Sequence, residues 1–250
     1  MASWMIHFRI ADALLQTDEL SELPPEAQTA FITGNVAPDS GTPLPGGGYA
    51  PDKDTSHFMR RFEGVPAGQN PERCDPSLLN DRWLIPSLEE GDPVAAAFFL
   101  GYLCHLVTDN AWVRDFVYPA KVRLAHLRSV NGKETPEGIA RFYAVLKQEW
   151  YDMDTLYLQS HPSLPAYDTF LREPPMENRF LPFFPPDAFA RKREEIESFY
   201  DRDTTETEKR GIRANEAEAE SFISRVAEEI TTDFRDTITA VCALYAPIEC

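Results

Sequence analysis

His105 and Asp109 stand four residues apart in the string Gly101-Tyr-Leu-Cys-His105-Leu-Val-Thr-Asp109-Asn-Ala-Trp112. On a helix that spacing puts both heads on one face. An imidazole and a carboxylate so placed either share a divalent cation or form a hydrogen bond in the core. The flanking residues are apolar, and a buried carboxylate without a partner costs several kcal/mol, so Asp109 requires a compensating group. Three further strings each offer one metal-competent side chain: Trp4-Met-Ile-His7-Phe, Gly34-Asn-Val-Ala-Pro-Asp39 and Asp54-Thr-Ser-His57-Phe58. His126 and His161 read as ordinary surface residues. The four cysteines, Cys74, Cys104, Cys242 and Cys250, include no CxxC pair and make neither a disulfide framework nor a thiolate zinc site. Any metal is therefore expected on nitrogen and oxygen.

The elements that must position these groups read as helices. Residues 4–17 place Trp4, Ile10, Leu14 and Leu15 at helical spacing, with Arg9, Asp12 and Gln16 as polar positions between them. A second helix is expected from Pro24-Pro25-Glu26 to Gly34, ended by the glycine in a left-handed conformation. Pro38 to Pro51 contains four Gly and four Pro, a loop that neither helix nor strand tolerates, with Asp39 at its start. A helical turn over residues 55–61 carries His57. Asp92-Pro93 opens the strongest helix, apolar nearly all round to about Val117, which marks a buried central helix. Further helices are expected over 135–158, 186–200 and 215–245, with a Pro-rich surface stretch over 162–186. No segment alternates with period two. The expected fold is all-α, one multi-helix bundle domain over residues 1–250.

Composition narrows the function. With 24 Lys+Arg against 41 Asp+Glu the formal charge is -17, a field that repels phosphate backbones and anionic lipid. A nucleic-acid partner and stable membrane association are disfavoured. No apolar run is read as reaching the ~18 residues of a membrane span. The first residues show no export signal, giving a cytoplasmic expectation. The oligomeric state stays open: the Glu/Arg/Lys faces of 187–200 and 215–246 read as solvated or as a partner surface.

Taken in order, the four strings resemble the zinc-dependent phospholipase C family, whose helical superfold also includes fungal single-strand nucleases. The matching pieces are Trp4-x-x-His7-Phe8 followed by Ile10-Ala-Asp12, then Gly34-Asn-x-Ala-Pro-Asp39, then Ser56-His57-Phe58, then Gly101-Tyr-Leu-x-His105-Leu-x-x-Asp109-x-x-Trp112. The resemblance covers residues 4–112. It implies a cluster of two or three zinc ions: Asp39, His57, His105 and Asp109 on one, with Asp109 bridging to a second that His7 also binds. It also implies hydrolysis by activated water, with Asp39 both ligand and general base.

Departures from the pattern shape the expectation. The family's N-terminal tryptophan supplies amino and carbonyl ligands, whereas Trp4 follows Met-Ala-Ser. Where the family has another histidine ligand this chain has Asp115, and Trp150 and Asp154 stand at its His-x-x-x-Glu pair. An outer site on Asp115 and Asp154 would be carboxylate-built and suited to Mg or Mn, while Glu149, Asp152 and Asp154 read alternatively as a solvated acidic face. Trp4, Phe58, Tyr102 and Trp112 are candidates to line the mouth, with core packing as their alternative role. The functional expectation is a metal-dependent hydrolase of a phosphoester or related small soluble substrate. The rival is a helical protein that uses the same ligands as a structural staple.

Overall fold

Short polar residues and prolines start the helices. In the computed structural model, which describes residues 1–65, 70–131, 136–201 and 215–246, α1 (Trp4–Leu15) begins behind Ser3, whose hydroxyl accepts the Ile6 N–H. α2 (Pro25–Gly34) starts on proline, and a 3-10 turn, Ala37–Asp39, follows it. α3 (Lys53–Ser56), α4 (Pro76–Leu79) and α5 (Ile85–Glu89) are short. α6 (Pro93–Trp112) is capped by Asp92, whose carboxylate accepts the Ala95 N–H at 3.0 Å. There follow α7 (Tyr118–Asn131), α8 (Pro136–Ser160), α9 (Pro165–Arg172), α10 (Ala188–Tyr200), α11 (Glu216–Asp233) and α12 (Arg235–Ala243).

The fold is all-α, with α6 at its centre. Its residues are buried nearly without a break from Ala95 to Trp112, and α1, α2, α11 and α12 pack on it. Burial on every face is what its apolar sequence demands. The α2–α6 crossing brings backbone against backbone: a Cβ on Gly34 would lie inside the carbonyl of Phe98, and one on Gly101 inside that of Phe31. On the far side of α1, Arg9 is buried and pairs with Glu216 at 2.5 Å and Glu220 at 2.6 Å, tying α1 to α11. Asp12 accepts the Ala166 N–H at 2.7 Å and so fixes the start of α9.

Several details differ from the sequence expectation. Gly34 is not left-handed; it is glycine because α6 approaches too closely for a side chain. α6 does not stop near Val117, because a π turn at Val113–Val117 carries the helix into α7. The continuous helix Pro93–Leu124 is thereby long and apolar enough to cross a membrane, yet most of its apolar surface is buried inside the fold. The last helix is broken at Phe234. The Pro-rich stretch contains α9, and the loop after Asp39 forms a hairpin of Thr42–Pro43 with Tyr49–Ala50. Met59–Arg61, expected as part of a helical turn, instead pairs antiparallel with Glu72–Cys74. Arg9 and Asp12, polar positions between the apolar ones of α1, are buried and held by partners.

Candidate metal centre

Four elements converge at the buried end of α1. His7 lies in the second turn of α1, and His105 and Asp109 lie one turn apart on α6. Asp39 ends the 3-10 turn after α2, and His57 follows the last residue of α3. Four of the five are buried to within 1% of complete, and Asp39 alone keeps 11% of its side chain exposed. The His57 Nε2 stands 3.3 Å from the His105 Nε2, 3.5 Å from the Asp39 Oδ1 and 3.6 Å from the Asp109 Oδ2. The His105 Nε2 is 3.5 Å from the same Asp109 Oδ2. On the other side of that carboxylate, the His7 Nε2 is 3.6 Å from the Oδ1.

These separations fit a metal ion better than they fit hydrogen bonds. Ligand atoms bound at ~2.1 Å around one ion lie ~3.4 Å from one another, and around the His57 Nε2 the atoms of His105, Asp39 and Asp109 stand at about that spacing. Two imidazole nitrogens facing each other across a dry core are otherwise poor company, since a neutral pair needs one ring to donate. The Asp109 Oδ2 and both ring nitrogens of His7 find no hydrogen-bond partner among the described residues, although they are fully buried. The outer nitrogens of the other two rings are held: the Asn35 carbonyl lies 2.9 Å from the His105 Nδ1, and the Ser56 hydroxyl lies 2.9 Å from the His57 Nδ1. Such bonds turn each Nε2 lone pair toward the shared centre.

Electrostatics sets the right charge states. Burial lowers the pKa of His7 to about 4, with neighbouring His105 adding to the effect against the pull of Asp109. Burial also lowers His57, opposed chiefly by Asp39. Neutral imidazole is the form that binds metal. Burial pushes both carboxyls upward, but it is outweighed. Lys53, 3.3 Å away, and His57 hold Asp39 well below the usual carboxylate range. The amino terminus, His105 and His7 do the same for Asp109.

The structure thus brings together His7, Asp39, His57, His105 and Asp109, and leaves Asp115 and Asp154 apart from them. Among the described residues the convergent sets are His7, His105 and Asp109, and Asp39, His57 and His105. Asp115 lies on the π turn after α6, paired with Arg114 at 2.8 Å and with Arg225 of α11, so two guanidinium groups already neutralise it. Asp154 is buried on α8 and accepts the Tyr200 hydroxyl at 3.1 Å. Burial raises its pKa to about 7, which makes it a poor anionic ligand. The outer carboxylate site is therefore not assembled, and Asp152 and Asp154 are buried and do not form a solvated face. His161 is exposed as expected; the side chain of His126 lies outside the described residues.

Of the four aromatic candidates, Trp4 reaches the centre, its indole N–H donating to the Asp39 Oδ2 at 3.0 Å. Tyr102 and Trp112 are core residues, Tyr102 donating to the Ser56 carbonyl, and Phe58 is buried. Sequence reasoning passed over Asn35. Its amide donates to the His7 carbonyl at 2.7 Å while its own carbonyl orients His105, so one residue ties two ligands together. Its place inside the Gly34-to-Asp39 string was the available signal. Lys53, the cation beside Asp39, sits in no motif and carried none.

A helical bundle with imidazole and carboxylate ligands converging in its core defines a candidate metalloprotein of nitrogen and oxygen ligation. A family model for zinc dependent phospholipase C matches residues 6–155, and the chain belongs to that family. No curated protein and no solved structure matches it. Membership supports zinc as the metal and a metal-dependent hydrolase as the class.

Proposed function

We propose that the chain is a zinc-dependent hydrolase of small phosphoesters. The observation that carries this reading is the convergence of Asp39, His57, His105 and Asp109 beside a cleft that, of the four, Asp39 alone reaches. A zinc ion there supplies Lewis acidity to a phosphoryl oxygen and eases deprotonation of water. The chain's own residues do the rest. His57 stays neutral, the rings of His57 and His105 are held by Ser56 and Asn35, Asp109 keeps its charge in the core, and Asp39 meets both the cluster and the solvent. From that boundary Asp39 orients a water in the cleft and takes its proton transiently, since its depressed pKa keeps it ionised. His7 and the Asp109 Oδ1 are the donors for a second ion, but the Ala2 N–H already occupies that oxygen at 2.7 Å.

One observation favours a second reading: four protein side chains converge at one centre, as many as a structural zinc site uses. Metal analysis with a nitrophenyl phosphodiester assay separates the two. Bound zinc together with turnover that a chelator abolishes supports the hydrolase; bound zinc that never turns over supports the staple. His105→Ala and Asp109→Ala are expected to lose metal and melting temperature together, because each strips a buried ligand and strands its neighbours. Unchanged metal in both variants would defeat the assignment.

A further inference from the structure

The cleft at Asp39 carries a charge opposite to that of the molecule. It has a volume of about 320 Å³, the lower end of small-ligand sites. The chain contains six lysines, and three of them, Lys53, Lys147 and Lys192, line this one cleft, while Asp39 is the only acidic residue lining it among the described residues. They come from α3, α8 and α10, so no local basic run explains their meeting.

Each lysine is placed by its surroundings. Lys192 is buried, with 3% of its side chain exposed; its ammonium pairs with Glu195 at 2.5 Å and lies 4.9 Å from the centre of the Trp4 ring. Trp4 in turn donates to Asp39, so the buried cation and the candidate ligand flank one indole. Lys53 leans on the Asp39 Oδ1 at 3.3 Å, the same oxygen that faces His57. Once that oxygen turns to an ion, Lys53 loses its partner and faces the cleft. Lys147 is exposed on α8 one turn before Trp150 and Tyr151, which stand on the same helix face and also line the cleft. Glu195 answers Lys192 and Asp39 answers Lys53, but no acidic partner faces Lys147 from the cleft lining, and with Asp39 turned to an ion the cleft keeps an excess of positive charge.

Resting on the hydrolase reading, we infer that this cleft is a subsite for a second anionic group, so that the favoured substrate is a small phosphoester bearing a further phosphate or carboxylate on the part that is not attacked. The ester phosphoryl sits at the Asp39 end and the remote anion among Lys147, Lys192 and the released Lys53. A neutral or cationic group in that position leaves the excess positive charge of Lys147 and the released Lys53 unanswered and is disfavoured.

The test uses three nitrophenyl phosphodiesters that differ only in the second alcohol: ethyl, 2-carboxyethyl or 2-phosphoethyl. In parallel, tryptophan fluorescence of the zinc-loaded protein is titrated with glycerol 2-phosphate, since Trp4 and Trp150 line the cleft. The anionic diesters should exceed the ethyl one by about tenfold in kcat/KM, and Lys147→Gln should shrink that ratio about threefold. Lys192→Gln should weaken the fluorescence response, while Lys121→Gln, exposed on α7 outside the cleft, leaves ratio and response as they were. The relative rates of the two anionic diesters tell phosphate from carboxylate. Equal rates for all three diesters with no fluorescence response overturn the subsite and leave the hydrolase reading intact. If no diester is cleaved, the hydrolase reading fails, and the fluorescence titration alone decides whether the lysines bind an anion.

Discussion

Asp39 joins the buried cluster to the outside, and its two oxygens have separate duties. One faces His57 and Lys53, and the other is held by the Trp4 indole. Asp39→Asn keeps an oxygen for the cluster but removes the charge, so most of the zinc should remain while phosphodiester hydrolysis drops about tenfold or more. Full activity in that variant, measured beside its zinc content, would remove Asp39 from the role. Asp154 makes a different kind of prediction. Its pKa is raised by burial to about 7, so between about pH 4 and pH 7 the unfolded chain releases a proton that the folded chain keeps. Stability is therefore fully present below pH 4, is lost as pH rises to 7, and is flat above it, a change of up to about 4 kcal/mol. Asp154→Asn removes this term. The gap in melting temperature between variant and parent should open across that window, and a gap of constant size would place the titration elsewhere.

At the scale of elements, the α2–α6 crossing sets the position of the centre. Gly34 and Gly101 let the two backbones touch, which places the Asn35 carbonyl on the ring of His105. Gly101→Ala forces the helices apart. It should cost about 1–3 kcal/mol or more by calorimetry and weaken zinc binding as well, because overpacking moves a ligand's support. Unaltered zinc affinity in a destabilised variant would show that the ligands tolerate a looser crossing. Much of this architecture was legible beforehand. Cap and proline signals located α2, α6 and α10 to within a few residues, since local backbone chemistry starts a helix, and apolar spacing located α1. The His105 and Asp109 pair was legible because helix geometry alone aligns it. The reason for Gly34 was not, because close approach of a distant backbone leaves no local trace. The pairing of Asp115 with Arg225, 110 positions away, was hidden for the same reason. The burial of Asp154 belongs with these, because a run of acidic letters looks the same whether its helix turns inward or outward.

Across the described residues, buried apolar side chains from Ala2 to Val241 form one cluster, and four of the five candidate ligands are buried as well. A metal held by those ligands would couple its binding to folding. The charge pattern has its own large-scale logic. A chain with a net charge of -17 presents acidic residues over most of its length, yet gathers half its lysines at a single opening. A small anion arriving from bulk solvent thus climbs a repulsive slope before it drops into a local well. Dissolved salt shortens the range of both, to ~8 Å at 0.15 M, and flattens the outer slope first. Stopped-flow entry of glycerol 2-phosphate should quicken as salt rises from a very low level, pass through a maximum, and then slow. A steady decline from the lowest salt onward would mean that the opening's own pull extends past the acidic envelope.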